Sequence, residues 1–338
     1  HAMTPDFPTR ISFDEAAAII DRIAAGHRLP AESIPLQRGL GRVLAEDLVA
    51  PVALPNFDNA AMDGFAVRGL PMPEGGWQLV GEQFAGADQG LVLAPGQGSR
   101  ITTGAPLPAG ADTVEMQENV TLEADGRVCF TAPLRAGQNV RPQGQETRIG
   151  DCVLPAGTRL GPIELGLAAS LGQATLTVSK RARVAVLSTG DELVEPGQPL
   201  AAGQIYNSNR RLLIAWLKRL GCDVVDAGIL ADDLAQTRAA LAALSDVDLI
   251  LSTGGVSVGE ADFLGVALRE AGELTLWKLA IKPGKPLTFG QFRGVPVIGL
   301  PGNPVMFSSE VRQKILGGNA WVGGPQWRAE HPEQVYCW

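Results

Sequence analysis

The sequence predicts a multidomain α/β protein, and three features carry that expectation. The second half alternates apolar strand-like runs with amphipathic helix-like ones, residues 51–150 are rich in Gly and Pro with short alternating runs, and the chain has 338 residues. That length exceeds what a single core of ordinary size serves. No apolar run reaches the roughly 18–20 residues that cross a bilayer, so no membrane role is expected. The formal net charge is −8 with scattered arginines, which argues against a basic nucleic-acid-binding face. Any anionic ligand must therefore be held by a local basic cluster. The four cysteines are far apart and form no CxxC pair, which fits reduced thiols and a cytoplasmic location. Of three histidines, His1 belongs to a leading His1-Ala2-Met3 that reads as a cloning remnant. A histidine-ligated metal or a Ser-His-Asp triad is thus close to excluded, and acid–base or metal chemistry falls to carboxylates and lysines.

Residues 12–25, "SFDEAAAIIDRIAA", place Ser12 as an N-cap with Glu15 three positions on, a capping box before a helical apolar pattern. Runs such as "RVCFTAP" within 51–150 read as strands joined by turns. "DCVLPAGTRLGPIELGLAASLG" reads as a strand followed by a helix, and "ATLTVSKRARVAVLSTG" as two strands with a boundary near Lys180. "RVAVLSTG" is a continuous apolar run of the kind buried on both faces of a parallel sheet. The helix "NRRLLIAWLKRLG" ends at Gly221, and strand "CDVVDAGIL", helix "LAQTRAALAALS", strand "VDLILSTGG" and helix "ADFLGVALREAG" follow. "LTLWKLAI", "PLTFG" and "VPVIGLPGNP" complete the series. Strand alternating with helix predicts a doubly wound α/β domain.

Ligands of open α/β sheets sit beyond the carboxyl ends of the strands. Three such ends stand out: "LSTGDEL", "LSTGGVSVGEADF" and "GLPGNP". One loop alone would be a glycine-assisted tight turn. Three at successive strand ends, carrying Asp191, Glu192, Glu260 and Asp262, point to a site. Amides and hydroxyls there suit phosphate, and the carboxylates suit a hard cation such as Mg²⁺. The segment "KLAIKPGK" holds three of the chain's six lysines, Lys278, Lys282 and Lys285. A lysine run is usually a solvated tip, but its scarcity elsewhere favours an oxyanion site on a turn stiffened by proline. Outside this domain, "LPNFDNAAMDGFAV" surrounds Asp58, Asn59 and Asp63 with small residues, and "RITTGAPLPAGADTVEMQE" offers Thr102, Thr103 and Gly104. Each alone is no more than a turn signal.

Together with "GQIYNSN" and "WKLAIKPGKP", these segments resemble, in order and spacing over roughly residues 10–305, the molybdopterin molybdenumtransferase family, which includes MoeA and the E domain of gephyrin. The resemblance implies a doubly wound molybdopterin-binding-like α/β domain at 181–317 and a β-rich domain at 51–150. It also implies an elongated linking and dimerisation domain from 4–50 and 151–180. Residues 318–338 then form an atypical tail where the family carries a small C-terminal β domain.

The family's functional residues fall on Asp63, Thr103, Glu192, Asp232, Asp262, Lys278 and Lys282, with Glu192, Asp232 and Asp262 as the Mg²⁺ side. Substrate contacts fall on Ser188, Thr189, Gly190, Ser252, Thr253, Gly254, Gly255, Ser257 and Lys285, and on Pro301, Gly302, Asn303 and Pro304. A segment the family usually writes "RxxGED" reads "RPQGQE" here, leaving Arg141 and Glu146 as its matches. The implied reaction converts adenylylated molybdopterin and molybdate to molybdenum cofactor and AMP. It is implied to occur in a homodimer whose site spans subunits, with the upstream adenylyltransferase as a possible delivery partner. A gephyrin-like scaffold without catalysis and an adenylyltransferase-type activity are the alternatives, and retained carboxylates and lysines favour chemistry over scaffolding.

Overall fold

The computed structural model describes residues 13–244, 246–254, 263–271, 274–278 and 286–300. Glu260, Asp262, Ser257, Gly255, Lys282, Lys285, Pro301 to Pro304 and the tail at 318–338 lie outside the described residues. The chain divides into two compact units. One comprises Asp47–Pro155 and Gly166–Ala174; the other comprises residues up to Glu46, Ala156–Leu165, and Thr175 onward.

The first of these is built on six strands, β1 (Gly64–Val67), β2 (Trp77–Gln83), β3 (Gln97–Ile101), β4 (Thr113–Met116), β5 (Val120–Leu122) and β6 (Arg127–Phe130). They form one sheet in the order β4-β1-β3-β2-β6-β5, in which only β2 and β3 run parallel. Trp77 is buried and stacks on Phe130 with ring centroids 4.7 Å apart. Its indole N–H is shared between the carbonyls of Arg68 and Gly69, so the large ring is buried without orphaning its donor. Gly64 shows what the "MDGF" segment demands. A Cβ placed there would lie 1.8 Å from the Glu115 carbonyl oxygen of β4. Only glycine lets the two strands pair at this register.

In the other unit, α1 (Phe13–Gly26) precedes Ala31–Pro35, which pairs antiparallel with Thr175–Ser179. Helix α2 (Pro162–Ser170) spans the point where the division falls. Then come β7 (Arg183–Thr189), α3 (Ser208–Arg219), β8 (Asp223–Leu230), α4 (Leu234–Ala243), β9 (Leu249–Thr253), α5 (Phe263–Ala271), β10 (Leu274–Lys278), β11 (Pro286–Phe292) and β12 (Val295–Leu300). The sheet order is β8-β7-β9-β12-β11-β10.

Ala185, Leu187 and Ile250 enter one core with Leu241 of α4 and Leu264, Ala267 and Leu268 of α5. Side chains alternate along a strand, so Val184 and Val186 face the other way, and both are buried as well. Helix α3 packs on β7 and β8 and adds buried Leu213 and Leu217. Burial on both faces is what the unbroken apolar run predicts. Helix ends follow the expected chemistry too: the Asn207 and Asp233 side chains cap α3 and α4 by accepting from Arg210 N and Gln236 N.

The last three strands differ from a simple strand–helix alternation. β8, β7, β9 and β12 are mutually parallel, whereas β11 is antiparallel to both β12 and β10. The two-residue turn Arg293–Gly294 between β11 and β12 is too short for a crossover and permits only a hairpin.

Gly64→Ala is expected to lower the stability of the β-sheet unit by roughly 3 kcal/mol, the upper range of overpacking costs. Thermal unfolding followed by near-UV circular dichroism, dominated in this unit by Trp77, checks it. An unchanged midpoint would contradict the close approach at Glu115.

Candidate active site

Parallel pairing brings the motif-bearing strand ends level. Thr189 of β7 lies opposite Leu230 of β8, Ser188 opposite Thr253 of β9, and Thr253 opposite Leu300 of β12. "STGDEL", "STGG" and the loop after β8 therefore leave the same edge of the sheet. Gly254 is needed for the approach, since a Cβ there would stand 2.5 Å from the Thr189 carbonyl oxygen.

The hydroxyls at this edge are braces. Ser188 Oγ lies 2.5 Å from Thr253 Oγ1 and donates to Asn207 Oδ1 at 3.4 Å, so the Thr253 hydroxyl is left to donate to Ser188. Ser188, Ser252 and Thr253 are at most 2% exposed, and Ser252 Oγ donates to the Gly254 carbonyl. What these residues can offer a ligand is the backbone that follows them. Thr189 Oγ1 is buried and has no partner among the described residues.

Carboxylates gather at the β8 and β7 ends. Asp191 and Glu192 follow β7 directly, and Asp232 follows β8; all three are exposed. Asp191 Oδ1 accepts the Asp232 N–H at 3.1 Å, which ties the two loops together. Partial desolvation, followed by repulsion from Asp191 and Glu192, raises the Asp232 carboxyl above its ordinary range. These are oxygen donors of like charge, the set a hard divalent cation satisfies. Among the described residues no three His, Cys, Asp or Glu side chains are disposed to hold a metal ion. The third expected carboxylate, Asp262, is outside the described residues.

Lys278 ends β10. Two antiparallel steps, β12 to β11 to β10, make β10 run in the sense of β7, so Lys278 sits on the same edge of the sheet as the acids. Four strand spacings separate β10 from β7, roughly 19 Å at the usual interstrand distance. The edge is thus polarised, with carboxylates at one end and the lysine-bearing strand at the other.

In the β-sheet unit three motif segments converge. Asn59–Ala60 pairs with Val140–Arg141, Gly104 N donates to the Ala60 carbonyl, and Asp58 Oδ1 accepts Gln143 N at 2.7 Å. Arg141 and Glu146 are exposed on the last of these segments. Asp63 Oδ1 accepts both the N–H and the hydroxyl of Thr103, each at 2.7 Å. These two bonds, the N–H first, hold the Asp63 carboxyl below its ordinary value, with a smaller attraction from Arg100. Asp58, Asn59, Asp63, Thr103, Gly104, Arg141 and Glu146 all lie in segments whose sequence marks them. Arg210, which pairs with Glu195 and Asp226, carries no such local signal, since its partners lie 15 and 16 positions away in sequence.

Residues 11–172 match the MoeA N-terminal region (domain I and II), and residues 185–315 match a probable molybdopterin binding domain. Fold and sequence together define an enzyme of molybdenum cofactor biosynthesis. A molybdopterin molybdenumtransferase of Haemophilus influenzae is 45% identical over 307 residues, covering 88% of this chain and 76% of that protein. One from Synechococcus elongatus is 40% identical over 309 residues, covering 87% and 76%. A molybdopterin biosynthesis MoeA structure from Pyrococcus superposes with a TM-score of 0.79 at 31% identity, covering 93% of this chain and 81% of that one. The chain belongs to the molybdopterin molybdenumtransferase family, whose members are transferases.

Because the folded-state value of Asp63 is depressed, its ionised form stabilises the fold above the unfolded value, and that contribution fades as pH falls through the folded value. Thr103→Ala removes the hydroxyl and keeps the N–H, so the Asp63 titration midpoint should move up towards 3.8 without exceeding it. Carboxyl ¹³C NMR titration checks this, and Thr103→Ser should restore the wild-type midpoint. A midpoint unmoved by Thr103→Ala would mean that the hydroxyl bond does not set the ionisation.

Proposed function

We propose that the chain is a molybdenum insertase, converting adenylylated molybdopterin and molybdate to molybdenum cofactor and AMP. The observation that carries this reading is the polarised sheet edge, with Asp191, Glu192 and Asp232 at one end and Lys278 at the other. An extended substrate with a diphosphate and a separate oxyanion-accepting end suits such an edge. Glu192, Asp232 and Asp262 would hold Mg²⁺, whose chemistry is to neutralise the phosphoanhydride oxygens as AMP departs. Lys278, Lys282 and Lys285 supply positive charge for molybdate, a tetrahedral dianion. Gly190, Gly254, Gly255, Ser257, Pro301, Gly302, Asn303 and Pro304 are the further residues we assign to substrate binding. This work is that of residues 181–317, the domain we assign to substrate.

Asp63, kept ionised by Thr103, with Arg141 and Glu146 nearby in sequence motif, belongs to a domain we assign to 51–150. In this reading the enzyme is a homodimer, joined through 4–50 and 151–180, and Asp63 serves the α/β domain of the partner subunit. Supply of the adenylylated substrate falls to an adenylyltransferase acting one step earlier. No helix among the described residues is long and apolar enough to cross a membrane; with unpaired cysteines among them, this supports a cytoplasmic setting.

Release of AMP from adenylylated molybdopterin, measured with and without molybdate and with and without Mg²⁺, separates this reaction from scaffolding and from adenylyl transfer. The insertase reading requires AMP release that depends on Mg²⁺ and is coupled to molybdate. Asp63→Ala and Lys282→Ala should each be inactive, and their mixture should recover up to about a quarter of wild-type activity, because a random heterodimer keeps one intact site. No recovery after verified subunit exchange would place Asp63 in the site of its own chain.

A further inference from the structure

We propose that Arg210 is a positioning residue: its buried guanidinium clasps the loop that carries Glu192 to the strand that delivers Asp232. The proposal rests on the reading of those two carboxylates as the cation end of the site. Arg210 lies in the first turn of α3, and its side chain is 2% exposed. One Nη pairs with Glu195, which directly follows the short strand Leu193–Val194, and the other pairs with Asp226 of β8. Arg211 closes the ring from outside, reaching the second oxygens of the same two acids at 3.2 and 3.3 Å with 55% of its side chain exposed.

Each partner leads to a site carboxylate. Asp226 Oδ1 also accepts Gly228 N at 3.1 Å, where the pairing of β8 with β7 slips by one residue between Val186 and Leu187. Beyond this bulge Ile229 and Leu230 pair with Ser188 and Thr189, and Asp232 follows, held by Asp191. On the other side Glu195 fixes the end of Leu193–Val194, while Ile205 N donates to the Glu192 carbonyl at 2.8 Å. Asn207 N donates to the Val194 carbonyl, and Asn207 Oδ1 accepts Arg210 N, so the loop 195–204 is pinned at both ends to the start of α3.

Stability alone gives little reason for this arrangement. A buried ion cluster is often matched or bettered by apolar residues of similar volume, so its use lies in fixing one geometry. Glu195 on one segment and Asp226 on the other are like charges brought together at one guanidinium, and without it their repulsion would drive the two segments apart. The clasp pairs Glu195 and Asp226 with arginine and leaves Glu192 and Asp232 as the carboxylates that face a cation.

The test uses the full chain and Mn²⁺ as probe. Arg210→Lys should keep its far-UV circular dichroism, yet amide hydrogen exchange should quicken at 190–195 and 226–232 while β9 and α5 stay protected. Its Mn²⁺ dissociation constant, read by electron paramagnetic resonance, should rise about tenfold or more. Arg211→Ala, which loses the same acids from the exposed side, should change it less than about twofold. Should Arg210→Lys not fold, the neutral variant Arg210→Met/Glu195→Gln/Asp226→Asn removes the clasp without stranding a charge, and the same local exchange and weakened Mn²⁺ binding are expected. Wild-type Mn²⁺ affinity in either variant, exchange raised uniformly through the sheet, or a wild type that binds no Mn²⁺ would each overturn the proposal. A wild type that binds Mn²⁺ with the expected variant pattern but releases no AMP would uphold the clasp and refute the insertase reading.

Discussion

Parallel pairing of Arg183–Thr189 with strands on both sides is the constraint on which the rest of the α/β unit depends. A strand buried on both faces must be apolar throughout and can expose chemistry only where it ends. Parallel neighbours then put all such ends on one edge. That single requirement turns "STGDEL", "STGG" and the Asp232 loop, separated by tens of residues in sequence, into neighbours. It also explains why the hydroxyls of Ser188, Ser252 and Thr253 are turned inward. A buried hydroxyl left unpaired is costly, and Ser188, Ser252 and Thr253 each find a partner, whereas Thr189 Oγ1 at the end of β7 has none among the described residues.

Charge distribution along the edge follows from sheet order more than from local sequence. The acids belong to the β7 and β8 side, and the β10–β11–β12 meander carries Lys278 to the other. Two antiparallel steps return β10 to the sense of β7, so it ends on the acids' edge although it joins the sheet through hairpins.

Most of the fold and much of the candidate site were legible in the sequence because their signals are local. "RVAVLSTGDEL" announces a doubly buried strand and the acids beyond it within eleven residues, and Gly221 marks the end of the helix before it. The meander was less legible, since "LTLWK" and "PLTFG" are short apolar runs whose pairing sense depends on partners. Least legible was the Arg210 clasp. Arg210 and Arg211 read as the polar start of an amphipathic helix, and only the packing of α3 against β8 brings Asp226 beneath them. The Ser188–Thr253 pair, 65 residues apart, is hidden for the same reason.

In the proposed reading, one extended ligand lies along the strand ends with its diphosphate and metal at the β7–β8 end and its oxyanion-accepting end towards β10. A crystal structure of the chain with Mn²⁺ and adenylylated molybdopterin, with the metal located by its anomalous scattering, tests this most directly. The account predicts an anomalous peak within coordination distance of Glu192 and Asp232 carboxylate oxygens and bridging to the diphosphate. A metal peak remote from both carboxylates, or a diphosphate seated at the β10 end, would contradict it.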